Sequence, residues 1–140
     1  MQKILVTGGL GYIGSHVCVE LANAGYMPVI IDNLCNSKIS VHDRLKDITQ
    51  ADIPFYEGDI RDRNFIQDVF SREKPQSVIH FAALKSVGES VKKPLEYYDV
   101  NVNGTRILLD VMKDHTVKHI VYSSSATVYG DQNPSPLVED

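Results

Sequence analysis

Early in the chain an apolar run, Ile4-Leu5-Val6, leads through Thr7-Gly8-Gly9-Leu10-Gly11-Tyr12-Ile13-Gly14 into an amphipathic segment. No other stretch restricts the fold as much. Gly9, Gly11 and Gly14 satisfy G-x-G-x-x-G, and Gly8, Gly11 and Gly14 also give G-x-x-G-x-x-G. A strand that turns on glycines directly into a helix brings unpaired amides and the positive end of the helix dipole to one point. A side chain at the close-approach glycine would hold a diphosphate off the backbone, and Gly14 lets helix and strand pack closely. A turn needed only for chain reversal is the plainer reading, but context, spacing and an acid further on all favour phosphate binding. No Gly-Lys-Ser/Thr follows the glycines, which excludes a P-loop.

Short apolar runs then alternate with longer amphipathic ones. A helix is predicted from Tyr12 to Ala24, with Ile13, Val17 and Leu21 on its inner face and Gly25 as its stop. Val29-Ile30-Ile31 reads as the second strand, Val41 to Ile48 as a weaker helix and Pro54-Phe55-Tyr56 as the third strand. Asp62 can cap a helix whose inner face is Phe65, Ile66, Val69 and Phe70. Ser77 to Phe81 is the fourth strand. Pro94 suits the first turn of a long helix, with Leu95, Tyr98, Val102, Leu109 and Met112 as its buried side. His119 to Tyr122 is the fifth strand. This pattern predicts an α/β fold, a Rossmann-type doubly wound parallel sheet of order 3-2-1-4-5 with helices on both faces. Ligands of such sheets bind at the carboxyl ends of the strands, near the reversal between strands one and four.

The composition fits one soluble globular domain: 140 residues, 43% apolar and 23% charged. Fourteen basic against 18 acidic residues leave a net charge of −4, no surplus for nucleic-acid phosphates. The apolar runs are far shorter than the ~20 residues of a membrane span. Cys18 and Cys35 offer no disulfide framework, and free thiols in a reducing cytoplasm are the expectation. The five histidines are scattered, and His115 and His119 have no third ligand nearby, so no metal site is expected.

Asp32 ends strand two, eighteen residues past Gly14. A carboxylate there can accept both hydroxyls of an adenosine ribose and would repel a 2′-phosphate, so NAD is favoured over NADP. Asp59 follows strand three and can reach an adenine edge, with Ile60 on the ring; alternatively it only caps the next helix. Ala82 and Ala83 leave room for a dinucleotide after strand four. Lys85 offers a cation there, unless it is a solvated surface lysine. Ser125, past strand five, can reach a sugar hydroxyl, or Ser123-Ser124-Ser125 is merely a polar strand end. Asn101 and Gly104, weak helix formers inside a helix, have close packing or a backbone hydrogen bond as a sufficient explanation.

Thr7 to Gly14, Asp32-Asn33-Leu34, Gly58-Asp59-Ile60 and Phe81-Ala82-Ala83 resemble the extended short-chain dehydrogenase/reductases. Leu84 to Ser90, Pro94-Leu95-Glu96-Tyr97-Tyr98 and Ser123 to Gly130 narrow the resemblance to the UDP-glucose 4-epimerase family, from residue 3 to the end. The resemblance implies an isomerase that interconverts UDP-glucose and UDP-galactose by reversible hydride transfer at C4, with NAD as cofactor and a 4-keto intermediate. It implies a pyrophosphate on Gly8, Gly11, Tyr12 and Ile13 beside Gly14, and a ribose at Asp32 with Asn33, Asn36 and Ser37 nearby. Adenine would meet Asp59 and Ile60. Phe81, Ala82, Ala83 and Lys85 would line the cofactor's other side, Asn101 would reach toward it, and Ser123 and Ser125 would lie near the nicotinamide and the C4 hydroxyl.

The chain departs from the family in one respect. The Tyr-x-x-x-Lys pair that moves the proton is absent: no tyrosine has a lysine four residues on, and Asn133 occupies that place after Tyr129. Residues 1–140 are therefore expected to be an incomplete NAD-binding Rossmann domain, without the later strands and the sugar-nucleotide domain, and inactive alone. The open side of strand five, with Ile120 and Val121, invites association, and a homodimer is expected. The alternatives are another nucleotide-sugar epimerase or a 4,6-dehydratase, or a non-enzymatic NAD-binding module. A dehydratase would want Asp-Glu after the strand-five serine or threonine, where this chain has Ser125-Ala126-Thr127.

Overall fold

Runs rich in Val and Ile become strands because a parallel sheet covered on both sides buries every side chain of its central strands. The computed structural model describes residues 1–130 and 132–138. Its strands are β1 (Lys3–Thr7), β2 (Met27–Asp32), β3 (Phe55–Glu57), β4 (Ser77–His80) and β5 (His119–Tyr122). All pair in parallel in the order β3-β2-β1-β4-β5, the order the sequence predicts. Leu5 lies opposite Val29 on one side and Val78 on the other. The reversal between β1 and β4 puts Thr7 beside His80 at the carboxyl end of the sheet.

The helices are α1 (Tyr12–Asn23), α2 (Ser40–Thr49), α3 (Arg63–Glu73), α4 (Val87–Lys92), α5 (Pro94–Tyr98) and α6 (Thr105–Asp114). A π-helical turn, Asp99–Gly104, joins α5 to α6, and a 3₁₀ turn spans Ala126–Tyr129. Successive strand residues point to opposite faces, so the core divides in two. Leu5, Val29, Ile31 and Val78 pack with Ile66, Val69 and Phe70 of α3 and Leu108, Val111 and Met112 of α6. Val6 and Ile30 pack on the other face with Leu10, Cys18, Leu45 and Ile53. Asp62 caps α3 as expected, its Oδ1 accepting from the Phe65 N–H at 3.1 Å, and Pro94 stands in the first turn of α5.

Two helix faces differ from those predicted. In α1 Leu21 packs against the core as expected, but the buried residues are Gly14 and Cys18, and Ile13 is 50% exposed. In the long helix Met112 is buried, whereas Leu95, Tyr98, Val102 and Leu109 are exposed; Ile107, Leu108 and Val111 join the core on the sheet instead, and Gly104 lies against Ile60. The physical reason is the same in both. This helix carries apolar stripes on two sides, and the side that docks holds a glycine. A Cβ on Gly104 would lie 2.7 Å from Ile60 Cδ1, and one on Gly14 would run into the Gly8 carbonyl oxygen. Helical periodicity ranks faces by apolar size, whereas docking selects the face whose backbone can come closest. Residues 82–93 show no clear helical pattern in the sequence, yet Val87–Lys92 forms α4, which buries none of its residues.

The Asp62 cap satisfies an amide at the start of α3 that has no intrahelical partner. Asp62→Ala is expected to lower stability by about 1 kcal/mol, read as a lower urea midpoint with an unchanged slope. An unchanged midpoint would remove the cap from the fold's energetics.

Candidate functional site

A crevice of about 300 Å³ opens at the carboxyl ends of β1, β2, β3 and β4. Its floor is the glycine turn. Gly8 has φ +68°, and a Cβ there would lie 2.8 Å from the Ala82 nitrogen. The residue must therefore be glycine for two reasons, its backbone angle and the approach of the β4 loop. Gly9 packs against Ile30 instead. The glycines that shape the site are thus Gly8, Gly11 and Gly14. Gly11 is the N-cap of α1 and supplies no side-chain acceptor, so the first amides of the helix stay available to an anion.

Asp32 ends β2 and is buried beside this turn. Its Oδ2 accepts from the Leu10 N–H at 3.0 Å, and its Oδ1 accepts from the Leu34 N–H at 2.9 Å and the Ser37 hydroxyl at 2.7 Å. One carboxylate thereby ties the glycine turn to the loop after β2. Ser37 shares that carboxylate and lines the crevice, as do Asn33, Asn36 and Cys35. Across the opening, Asp59 forms its own cluster. The guanidinium of Arg61 hydrogen-bonds its carboxylate and holds its pKa down to about 2.

A third group of polar contacts lies behind the crevice. Thr105 Oγ1 donates to the Asn101 carbonyl at 2.7 Å, so it accepts from His80 Nε2 at 2.9 Å. That fixes the proton of the neutral ring on Nε2 and leaves Nδ1 to accept from Thr7 Oγ1 at 2.5 Å. The Thr7 oxygen in turn accepts from the Ala82 N–H at 3.3 Å. Asn101 completes the series: its Oδ1 accepts from the Leu84 N–H and its Nδ2 donates to the Leu84 carbonyl, both at 2.8 Å. The series runs from β1 through His80 to the π-helical turn and back to the loop after β4. Burial pushes the His80 pKa down to about 4.

Most residues expected at the site from the sequence come together here. Gly8, Gly11, Tyr12 and Asp32 line the crevice from one side; Asp59, Ile60, Phe81, Ala82, Ala83 and Lys85 line it from the other. Five do not line it. Ile13 and Gly14 sit in the first turn of α1, Gly14 against the backbone of the glycine turn. Asn101 has its side chain on Leu84, the backbone-bonding alternative of the sequence reading. The Ser123 amide donates to the His80 carbonyl and extends the β4–β5 ladder. Ser125 caps the 3₁₀ turn: its Oγ lies 2.8 Å from Thr127 Oγ1 and accepts from the Thr127 N–H at 3.3 Å. Arg61, Leu84, Glu96 and Val100 line the crevice although the sequence reading did not single them out. Arg61 was legible in part, since a charged residue just after the Gly58-Asp59-Ile60 stretch stands beside an acid. Glu96 and Val100 come from α5 and the π-helical turn, and only the long-range fold brings them there.

Residues 5–140 match the protein family described as GDP-mannose 4,6 dehydratase. The chain belongs to this family. It is 56% identical over 140 residues to a UDP-glucose 4-epimerase of Neisseria meningitidis serogroup B, covering all of this chain and 41% of that protein. The crystal structure of a UDP-glucose 4-epimerase from Stenotrophomonas maltophila with NAD and formylated UDP-arabinopyranose superposes with a TM-score of 0.94 at 50% identity, covering 99% of this chain and 41% of that one. That of Bifidobacterium longum, in complex with NAD+ and UDP, gives 0.95 at 47% identity, covering 99% and 42%. The chain thus spans about two-fifths of the length of these relatives. The Rossmann-type sheet and its strand order are theirs as well. The family is described by a dehydratase, while the relatives nearest in sequence among these are epimerases.

Among the described residues, no group of three His, Cys, Asp or Glu is arranged to hold a metal ion. No helix among them is long and apolar enough to cross a membrane. Cys18 is buried, which pushes its thiol up to about 12, and Cys35 is exposed; neither is in a disulfide.

Burial disfavours the charged form of the His80 ring, which gives an acid-sensitive site. The folded-state pKa lies below that of the unfolded chain, so the unfolded state binds more protons between pH 6.5 and pH 4. Stability is therefore full above about pH 6.5 and falls as the pH drops toward 4, by about 3 kcal/mol across the window. Urea unfolding at a series of pH values should show this slope, and His80→Gln should flatten it. Equal slopes in the two proteins would exclude His80 as the source.

Proposed function

We propose that this chain binds NAD in the crevice and serves as the cofactor-holding part of a UDP-glucose 4-epimerase. One observation carries the reading: the buried Asp32 carboxylate and the uncapped start of α1 flank the same opening. The residues fit the group. Gly8 and Gly11 leave the backbone bare where a diphosphate would approach, and the α1 amides supply donors of the right sign. Three donors already occupy Asp32, so a ribose diol would take the remaining acceptor position on Oδ2 or displace the Ser37 hydroxyl. NAD, when bound, supplies a hydride acceptor that returns the hydride to the sugar. The chain's own part is to hold the dinucleotide, to exclude a 2′-phosphate at Asp32, and to set the β4 loop through the His80 contacts.

The epimerase reading is favoured over a dehydratase by the relatives' identity and by Ser125-Ala126-Thr127, which lacks an adjacent Asp-Glu pair. The activity of the complete enzyme needs a proton-transferring pair that these 140 residues do not contain, so residues 1–140 are read as its dinucleotide-binding domain and are inactive alone. UDP-glucose and UDP-galactose are the substrates of that enzyme. A cytoplasmic place is supported by the two thiols, which stand outside any disulfide.

Calorimetric titration of the chain with NAD and NADP tests the reading. NAD is expected to bind at least about tenfold tighter than NADP, since a 2′-phosphate would face a carboxylate. Asp32→Asn should narrow that ratio. No heat with NAD would sink the proposal.

A homodimer is part of the same reading. The apolar stripe Leu95, Tyr98, Val102 and Leu109 runs along the outer side of the long helix and is 46–83% exposed. The open edge at β5 offers less, because only Val121 and Tyr122 of the strand are large, apolar and exposed. Light scattering should report a dimer that Leu95→Glu and Tyr98→Glu together convert to monomer. A wild-type monomer at high concentration would argue against it.

A further inference from the structure

Resting on the NAD reading, we infer that Arg61 is a positioning residue for the adenine end of the site: it locks the Asp59 carboxylate and leaves one replaceable acceptor position, held by Asn33, for the exocyclic amine. Four donors reach that carboxylate. Oδ1 accepts the backbone N–H and the Nε–H of Arg61, each at 2.9 Å. Oδ2 accepts Arg61 Nη2 at 2.8 Å and Asn33 Nδ2 at 3.2 Å. A carboxylate offers about four lone-pair positions, so a new donor enters only if an old one leaves. Three of the four belong to Arg61: its backbone amide, fixed by the chain, and two guanidinium donors that move together as one planar fork. The fourth is longer, comes from a neutral amide and belongs to an exposed loop residue. An adenine amine can take that place by exchanging one neutral N–H donor for another, with no rotation of the carboxylate.

Arg61 is itself anchored at its far end. Its Nη1 donates to Asp99 Oδ2 at 2.8 Å, and Asp99 Oδ1 accepts from Asn103 Nδ2 at 2.9 Å. Asp99 opens the π-helical turn that also carries Asn101, the residue clamping Leu84. The guanidinium therefore spans from the β3 loop to the π-helical turn and keeps two carboxylates from facing each other without a cation. A lysine could supply the charge but not the fork that meets both carboxylates at once. Because the locked carboxylate is acceptor-only, a purine with an oxygen in place of the amine would meet repulsion there instead of a hydrogen bond.

Parallel titrations of the chain with NAD and with nicotinamide hypoxanthine dinucleotide test this. Wild type is expected to prefer NAD about tenfold or more, the weight of one charge-assisted hydrogen bond. Arg61→Met, which keeps the aliphatic stem and removes the fork, should bring the ratio to about twofold or below. Asp59→Asn should do the same, and the double variant should add nothing further. If Arg61→Met does not fold, as judged by its melting curve, Arg61→Lys carries the test with the same expectation. A wild-type ratio kept by the Arg61 variants would overturn the inference. So would a wild type that binds NAD and the analogue equally, which leaves the NAD reading intact. A wild type that binds neither dinucleotide fails the NAD reading itself.

Discussion

The contact of Gly14 with the backbone of the glycine turn is the constraint on which the rest depends. It sets how closely α1 can approach β1, and so where the start of that helix points. With a side chain at position 14 the helix would have to lift away from the Gly8 carbonyl. The amides at its first turn would then no longer flank the Asp32 carboxylate. Gly8 does the same for the other half of the sheet, since only a bare Cα at φ +68° lets the loop after β4 pass within contact of the turn. Two absent side chains thus bring four strand ends to one opening.

What keeps that opening in shape is a set of carboxylates and one imidazole, each bonding across chain segments far apart in sequence. Asp32 joins the turn to the loop after β2, and Asp59 joins the loops after β2 and β3 through Asn33 and Arg61. His80 joins β1 to the π-helical turn. Such contacts contribute modestly to net stability but make the alternative, a buried polar group without its partner, costly. They define loop positions more than they strengthen the fold. Rigid loops are what a binding site on strand ends requires, because each lost degree of freedom on binding weakens the complex.

The order of the five strands, the cap at Asp62 and the crevice at the β1–β4 reversal were all legible from residue patterns. Those patterns report local chemistry: β-branched runs, a capping acid, glycines before a helix. The inner faces of α1 and of the long helix were legible only in part, at Leu21 and Met112. Ile13 and Leu95 look like core residues by size, yet the faces that dock carry Gly14 and Gly104. Asn101 and Ser125 fall in segments that a sequence reading associates with a cofactor, but one bonds a backbone and the other caps a turn. A side chain's type says which bonds it can make and not which neighbour will be within reach.

By itself the sequence determined the layered α/β architecture, the glycine turn between β1 and α1 and the acid at the end of β2, because each follows from a short run of residues and its period. Only the tertiary structure decided the tautomer of His80, the Arg61 link between Asp59 and Asp99, and which stripe of the long helix meets the sheet. These depend on distances between segments as many as 73 residues apart. Such distances are set by how closely two backbones can pack, and no local pattern records that.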